Sequence, residues 1–318
     1  ISHEKWFWQP KQYVSFEIAC TDKKISFYIN CPKSLQELLE KQIQAQYPHA
    51  FIEEIKGYNP FPKTGEMEAT ELRLTKPYMF PFRTYKNMET DPLNALTNAM
   101  SKLAEGDGAA IQIIVYPAGH RWQERPRDMA LEIQQGKNPH IVAKGLFGRF
   151  TREVGASVKD SMIGSHKQDQ ETSQQRLDLS GRYQAINLTP MQQEMVKRFE
   201  EKASRPGFFT NIRIITASET PGTAKVHMHN LVSSFLQYNM PPFNGFRVKK
   251  RAKKKIIKDY IFRIYRRYGR KAILNTEELT SLWHLPTPFL ETPNIKWLLS
   301  KKAPPPINLQ KEGVLLGR

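Results

Sequence analysis

The chain is 318 residues long, with a formal net charge of +17 and a pI near 9.7. That length exceeds what one core usually spans, so two domains joined by a linker are expected, and the positive balance points to polyanionic partners. Hydrophobic residues at 39% and aromatics at 11% exclude global disorder, two cysteines exclude a disulfide framework, and no apolar run reaches the roughly 18 residues of a membrane helix.

Ile1 stands where a methionine would, and Trp6-Phe7-Trp8 follows, which suggests a truncated start carrying an aromatic cluster suited to an edge strand or to a membrane interface. No signal peptide is visible, so the chain as given is expected to be soluble. Tyr13 to Ala19 and Lys24 to Asn30 are β-rich and flank Thr21-Asp22-Lys23, which predicts a hairpin. Cys20 and Cys31 lie on these successive segments. A cross-strand disulfide is geometrically open to them, and two buried thiols in a reducing cytosol are the favoured reading.

Pro32 opens a helix over Ser34 to Tyr47, with Leu35, Leu38, Leu39 and Ile43 at helical spacing and Pro48 as the stop. A strand over Ala50 to Ile55 is expected next, then, past the turn region Gly57 to Gly65, a strand over Glu68 to Lys76. Asp91-Pro92 caps a helix carrying Leu93, Leu96, Met100 and Leu103, which Gly106 ends. Ala110 to Tyr116 reads as a buried strand. From Lys24 the order is β-α-β-β-α-β, the ferredoxin-like split βαβ arrangement with one extra strand in front.

Trp122 to Gln135 predicts a helix ended by Gly136, and the polar stretch to Leu188 reads as a linker. Thr189-Pro190 opens a helix to about Ser204, Phe208 to Ala217 alternates as a strand, and Pro221 opens a helix through Tyr238. The expected fold class is therefore α+β. A ferredoxin-like domain spans 1–120, a helix and flexible linker 121–188, a second, smaller α/β domain 189–300, and a Pro-rich connector with a strand 301–318.

Much of the charge has one address. Between Arg247 and Lys271 thirteen Lys or Arg residues face a single acid, Asp259. Ile256, Ile257, Tyr260, Ile261, Ile264, Tyr265 and Tyr268 recur within it at helical spacing, so an amphipathic helix with one apolar and one basic face is expected. The candidate phosphate-binding residues are Arg247, Lys249, Lys250, Arg251, Lys253, Lys254, Lys255, Lys258, Arg263, Arg266, Arg267 and Arg270. Cations so dense release counterions from nucleic acid and bind it with strong salt dependence. Anionic lipid is the competing partner, and a solvated face that binds nothing is the third reading.

His227-Met228-His229 with Tyr238 downstream resembles the metal site and nucleophile of rolling-circle nucleases and relaxases. Those enzymes hold both imidazoles on a strand, where residues two apart point the same way. Here Met228, Leu231, Val232 and Phe235 fit a helix, on which the two histidines diverge, so surface histidines are the favoured reading. Gly136-Lys137 lacks the rest of a Walker A loop, and neither G-x-S-x-G nor H-E-x-x-H occurs. Glu53-Glu54 and Glu277-Glu278 read as solvated carboxylates. No catalytic residue, metal site or cofactor is nominated.

Several segments are similar to a known family. Tyr13 to Ile18, Ile25 to Ile29 with Pro32, Gln44-Ala45-Gln46-Tyr47-Pro48, Asp91-Pro92-Leu93 and Gly108 to Ile113 resemble the membrane-anchored, conjugation-type ATPases of bacteria. The likeness is strongest in Ile273 to Leu279, Trp283-His284-Leu285-Pro286 and Lys301-Lys302-Ala303-Pro304-Pro305-Pro306. Members are similar to type IV secretion ATPases and coupling proteins of the HerA/FtsK class. The resemblance implies a membrane anchor, an α/β region such as this one, and a P-loop motor assembled as a hexamer that moves DNA or protein.

This chain lacks the P-loop, so it is expected to be the non-catalytic amino-terminal region, with ATP and magnesium needed only by the missing motor and Gly313 to Arg318 as that motor's first strand. Its place would be the cytoplasmic face of the inner or plasma membrane. Its partners would be nucleic acid, its own motor, other secretion-system proteins and further copies of itself. The alternatives are a relaxase-like nicking nuclease using His227, His229 and Tyr238, and a membrane-adaptor module that binds anionic lipid.

Overall fold

A computed structural model of the chain describes residues 13–48, 50–61, 65–137, 187–267 and 272–286. Strands β1 (Val14–Thr21), β2 (Lys24–Asn30), β3 (Glu66–Leu74), β4 (Gly108–Pro117), β5 (Gly207–Ser218), β6 (Phe246–Lys249) and β7 (Ile273–Asn275) build one antiparallel sheet. Their order is β2-β1-β4-β5-β3-β6, and β7 pairs with the first residues of β5. The helices are α1 (Lys33–Gln46), α2 (Leu93–Ser101), α3 (Glu124–Gln134), α4 (Pro190–Ala203), α5 (Thr223–Ser234), α6 (Lys253–Ile261) and α7 (Thr276–Leu282).

The class is α+β, as expected, and the hairpin β1–β2 turns at Asp22 and Lys23, both with positive φ, the backbone of a two-residue turn that matches strand twist. The ferredoxin-like order is not formed. Ala50 to Ile55 make no strand, and Phe51, Ile52 and Ile55 stand exposed, because alternation alone gives a strand no partner to pair with. Strands from 1–120 and from 189–300 share this one sheet: β4 pairs with β5 from Gly108 to Pro117, and β3 lies on the far side of β5. Residues 138–186, most of the expected linker, and 301–318, the expected connector, lie outside the described residues.

Alternation along each strand sorts side chains onto two faces. On the first face Ile18, Leu72, Ile111, Ile113, Ile212 and Ile214 meet Leu93, Leu96 and Met100 of α2 and Leu231 of α5, with Phe82, Phe235 and Tyr238 closing the core. Burial of this apolar area, at about 25 cal/mol per Å², is the main stabilising force. A satellite cluster joins α3 to α4 through Met129, Ile133, Met195, Val196 and Phe199. A capping box between Thr189 and Gln192 starts α4, satisfying backbone donors that would otherwise lack partners.

Two glycines are required by close approach. A Cβ on Gly108 would overlap the Pro60 carbonyl, and one on Gly207 would overlap the Trp122 ring. The cysteines are free thiols, Cys20 buried in the core and Cys31 half-buried. No helix among the described residues is long and apolar enough to cross a membrane.

Candidate nucleic-acid interface

The second face of the sheet is polar at its centre. Strand registers align Tyr28, Glu17, Gln112, Arg213, Glu71 and Lys249 in a single row across β2, β1, β4, β5, β3 and β6. Glu17, Gln112 and Arg213 are wholly buried. The Gln112 amide donates to Glu17 Oε1 and to the Tyr260 carbonyl, both at 3.0 Å, and Arg213 Nη1 donates to Gln112 Oε1 at 2.9 Å. Buried polar groups are tolerable only when paired in this way.

What covers the row is α6 and the turn after it. Tyr260 and Ile257 sit against Ala19, Ala110 and Ile215, while the Tyr58 hydroxyl donates to Glu17 Oε2 at 2.7 Å and meets the Tyr260 hydroxyl at 2.6 Å. At the end of the helix Arg263 adopts φ 49°, with its N–H on the Tyr260 carbonyl and the Ile264 N–H on the Asp259 carbonyl. This is a Schellman closure with arginine where glycine is usual. The Arg263 guanidinium grips Glu17 through Nε and Nη2 at 2.8 and 3.0 Å, which offsets the backbone strain.

The basic helix is thus shorter than its sequence suggests. Phe246–Lys249 pairs with β3 as an edge strand, and the helix proper covers Lys253–Ile261. The twelve candidate cations fall into distinct groups. Arg251, Arg263 and Arg266 serve the fold. Arg251 Nη1 bonds Asp259 Oδ2 at 2.6 Å, and Arg266 bonds both Asp259 oxygens at 2.9 and 2.8 Å. Burial raises the Asp259 carboxyl, but hydrogen bonds from Arg266 and Arg251 outweigh it and hold the pKa below the ordinary aspartate value.

Lys253 pairs with Glu68 at 3.1 Å, and Lys249 is half-buried, its amine pushed down by burial and by the neighbouring Arg73. Arg247, Lys250, Lys254, Lys255, Lys258 and Arg267 are exposed, and Arg270 lies outside the described residues. A surface of this kind can neutralise phosphates.

The residues of the nuclease alternative are not brought together. His227 and His229 both lie on α5, His227 bonded through Nε2 to Asp107 Oδ2 at 2.8 Å and His229 exposed. Tyr238 is fully buried, donating to the Ser281 carbonyl at 3.0 Å. Among the described residues no group of His, Cys, Asp and Glu side chains could hold a metal ion. Of the two carboxylate pairs, Glu53 and Glu54 are exposed, whereas Glu278 is buried against Lys202 and Glu277 binds Lys86 and Arg205.

The polar row itself escaped sequence reading. Its signal was present as single polar residues inside apolar runs, Gln112 in Ala110 to Tyr116 and Arg213 in Phe208 to Ala217, but only the register shows that they meet.

Residues 4–298 match a family described as a domain of unknown function, DUF8128. The chain belongs to the DUF8128 family. Neither a curated protein nor a solved structure matches it. In this DUF8128 chain, then, the function rests on what the residues can do, and the exposed basic face on the polar row is the site with the clearest chemistry.

Proposed function

We propose that this chain is a non-catalytic, nucleic-acid-binding platform, the amino-terminal region of a conjugative-transfer or type IV secretion ATPase, set between membrane and motor. One observation carries the binding reading. The fold uses Arg251, Arg263 and Arg266 internally and leaves Lys254, Lys255 and Lys258 exposed on one short helix. Folding does not need those three lysines, and phosphate does. The resemblance to conjugation ATPases supports the wider setting.

The test is anisotropy of a short labelled DNA titrated with the protein across about 50 to 200 mM salt, where each phosphate contact contributes about 0.9 to the log–log slope. Lys254→Glu/Lys255→Glu/Lys258→Glu is expected to remove binding at low salt while leaving the thermal midpoint unchanged. Equal binding by the triple variant would sink the reading. Binding to anionic vesicles with none to DNA would replace it with the lipid adaptor.

A further inference from the structure

At its carboxyl end α6 offers an aromatic ring to solvent. Phe262 is the C-cap residue and is 67% exposed. The Schellman turn fixes its position, with Arg263 anchored to Glu17 on one side and Ile264 returned to Asp259 on the other. The ring borders a cleft of about 310 Å³ whose walls include Tyr13, Asn30, Ile114 and Arg263. That volume lies at the lower end of small-ligand sites, which run roughly 300 to 1,000 Å³.

Lys258, Lys255 and Lys254 stand four, seven and eight residues before Phe262, spacings that share one helix face. A cationic stripe therefore leads to an exposed ring over a cleft. Tyr13, which lines the cleft, stacks on Tyr265 with centroids 5.4 Å apart, so the lining holds a second aromatic ring beside Phe262. Asn30, exposed and also lining the cleft, carries an amide that can both donate to and accept from a base edge.

A duplex keeps its base faces inside the stack and can meet only the lysines. A single strand can give its phosphates to the lysines and a base to the ring, and base–aromatic stacking tolerates any sequence because every base has a π-face. We infer that the cleft beside Phe262 accepts an unpaired nucleobase, so that the basic face of α6 prefers single-stranded nucleic acid to duplex. This rests on the nucleic-acid reading above and adds the strandedness of the ligand.

The experiment compares a labelled oligothymidylate with a duplex of equal length, in the full chain and in Phe262→Ala, Phe262→Trp and the triple lysine variant. Phe262→Ala is expected to weaken single-strand binding about 5- to 100-fold, the range that loss of one stacked base implies. It should leave duplex binding within about twofold, and Phe262→Trp should restore the wild-type value. Equal loss for both forms, or loss for neither, would overturn the inference while the lysine variant still reports on nucleic-acid binding itself. Thymidine monophosphate binding as tightly as the oligomer and indifferent to the lysines would also overturn it, since the occupant would then be a free nucleotide. Absence of any binding that the lysines control would overturn the nucleic-acid reading instead.

Discussion

Arg263 and Glu17 lie 246 positions apart in the chain and meet as a two-pronged ion pair, Nε to Oε1 at 2.8 Å and Nη2 to Oε2 at 3.0 Å. Glu17 also accepts from Gln112, Tyr58 and Ser15, so one buried carboxylate ties β1 and β4 to the turn that ends α6. Glu17→Ala strands all of these donors and is expected to cost about 3 kcal/mol, the low end for breaking a buried pair because Arg263 is partly exposed. Arg263→Gly removes the same ion pair but relieves the left-handed backbone, and should cost less. Urea midpoints of the two variants check the order; an equal or reversed cost would show that the ion pair does not govern this turn.

Lys202 and Glu278 form a second buried pair, with Nζ 2.8 Å from both carboxylate oxygens and both side chains 1% exposed. Glu278 also closes the capping box of α7 with Asn275. Lys202→Met leaves a charge buried alone and is expected to lose about 3 to 5 kcal/mol. Adding Glu278→Gln removes that charge while keeping an acceptor for the Asn275 N–H, so the double variant should recover much of the loss. A double variant no more stable than Lys202→Met would refute this account.

Asp259 contributes to the response to acid, beside Asp91, Asp107 and Glu277, whose carboxyls are also held below their ordinary values. The folded pKa of Asp259 lies below the ordinary aspartate value, so the unfolded chain binds more protons as pH falls toward about 4. The stability it contributes is present above that point and is lost as pH drops through the folded pKa. Asp259→Asn should therefore flatten the decline of the urea midpoint between about pH 5 and 3, with Arg266→Ala acting in the same direction. Lys254→Ala, exposed and outside this cluster, should leave the profile unchanged. An unaltered slope in Asp259→Asn would count against it.

The thiols should differ in reactivity. Burial pushes Cys20 up to about 11, and its Sγ–H donates to the Met100 carbonyl at 3.5 Å, whereas Cys31 is half-buried and shifted up mainly by burial and secondarily by Glu40. Thiolate is the reactive form. Labelling at neutral pH should modify Cys31 slowly and Cys20 only after unfolding. Two thiols that react at one rate in the native state would contradict the burial of Cys20.

Local patterns made most elements legible. Leu93, Leu96 and Met100 mark α2, which buries one face, and Ile111, Ile113 and Val115 mark β4, which is buried on both, and in each propensity agrees with burial. Pairing was not legible. Nothing in Ala110 to Tyr116 says that its neighbour is Phe208 to Ala217, so the two regions read as separate domains although they share a ladder. Ala50 to Ile55 failed the other way, with a strand-like pattern and no edge to join. For the candidate site, charge density marked the segment, but the split between structural arginines and exposed lysines depends on Asp259 and Glu17, which only tertiary structure brings under them. Phe262 went unmarked because a ring one residue past a helix carries no periodic signal.

The polar row also has a bearing on synthesis. A ribosome delivers Glu17 and Gln112 long before Arg213, and Arg263 later still, so the growing chain holds a hairpin and a fourth strand whose buried charge has no guanidinium to meet. Sheet closure waits for β5, and contacts this distant in sequence form slowly. A nascent chain stopped near residue 190 would expose the apolar edge of β4, the kind of surface that holdase chaperones shield.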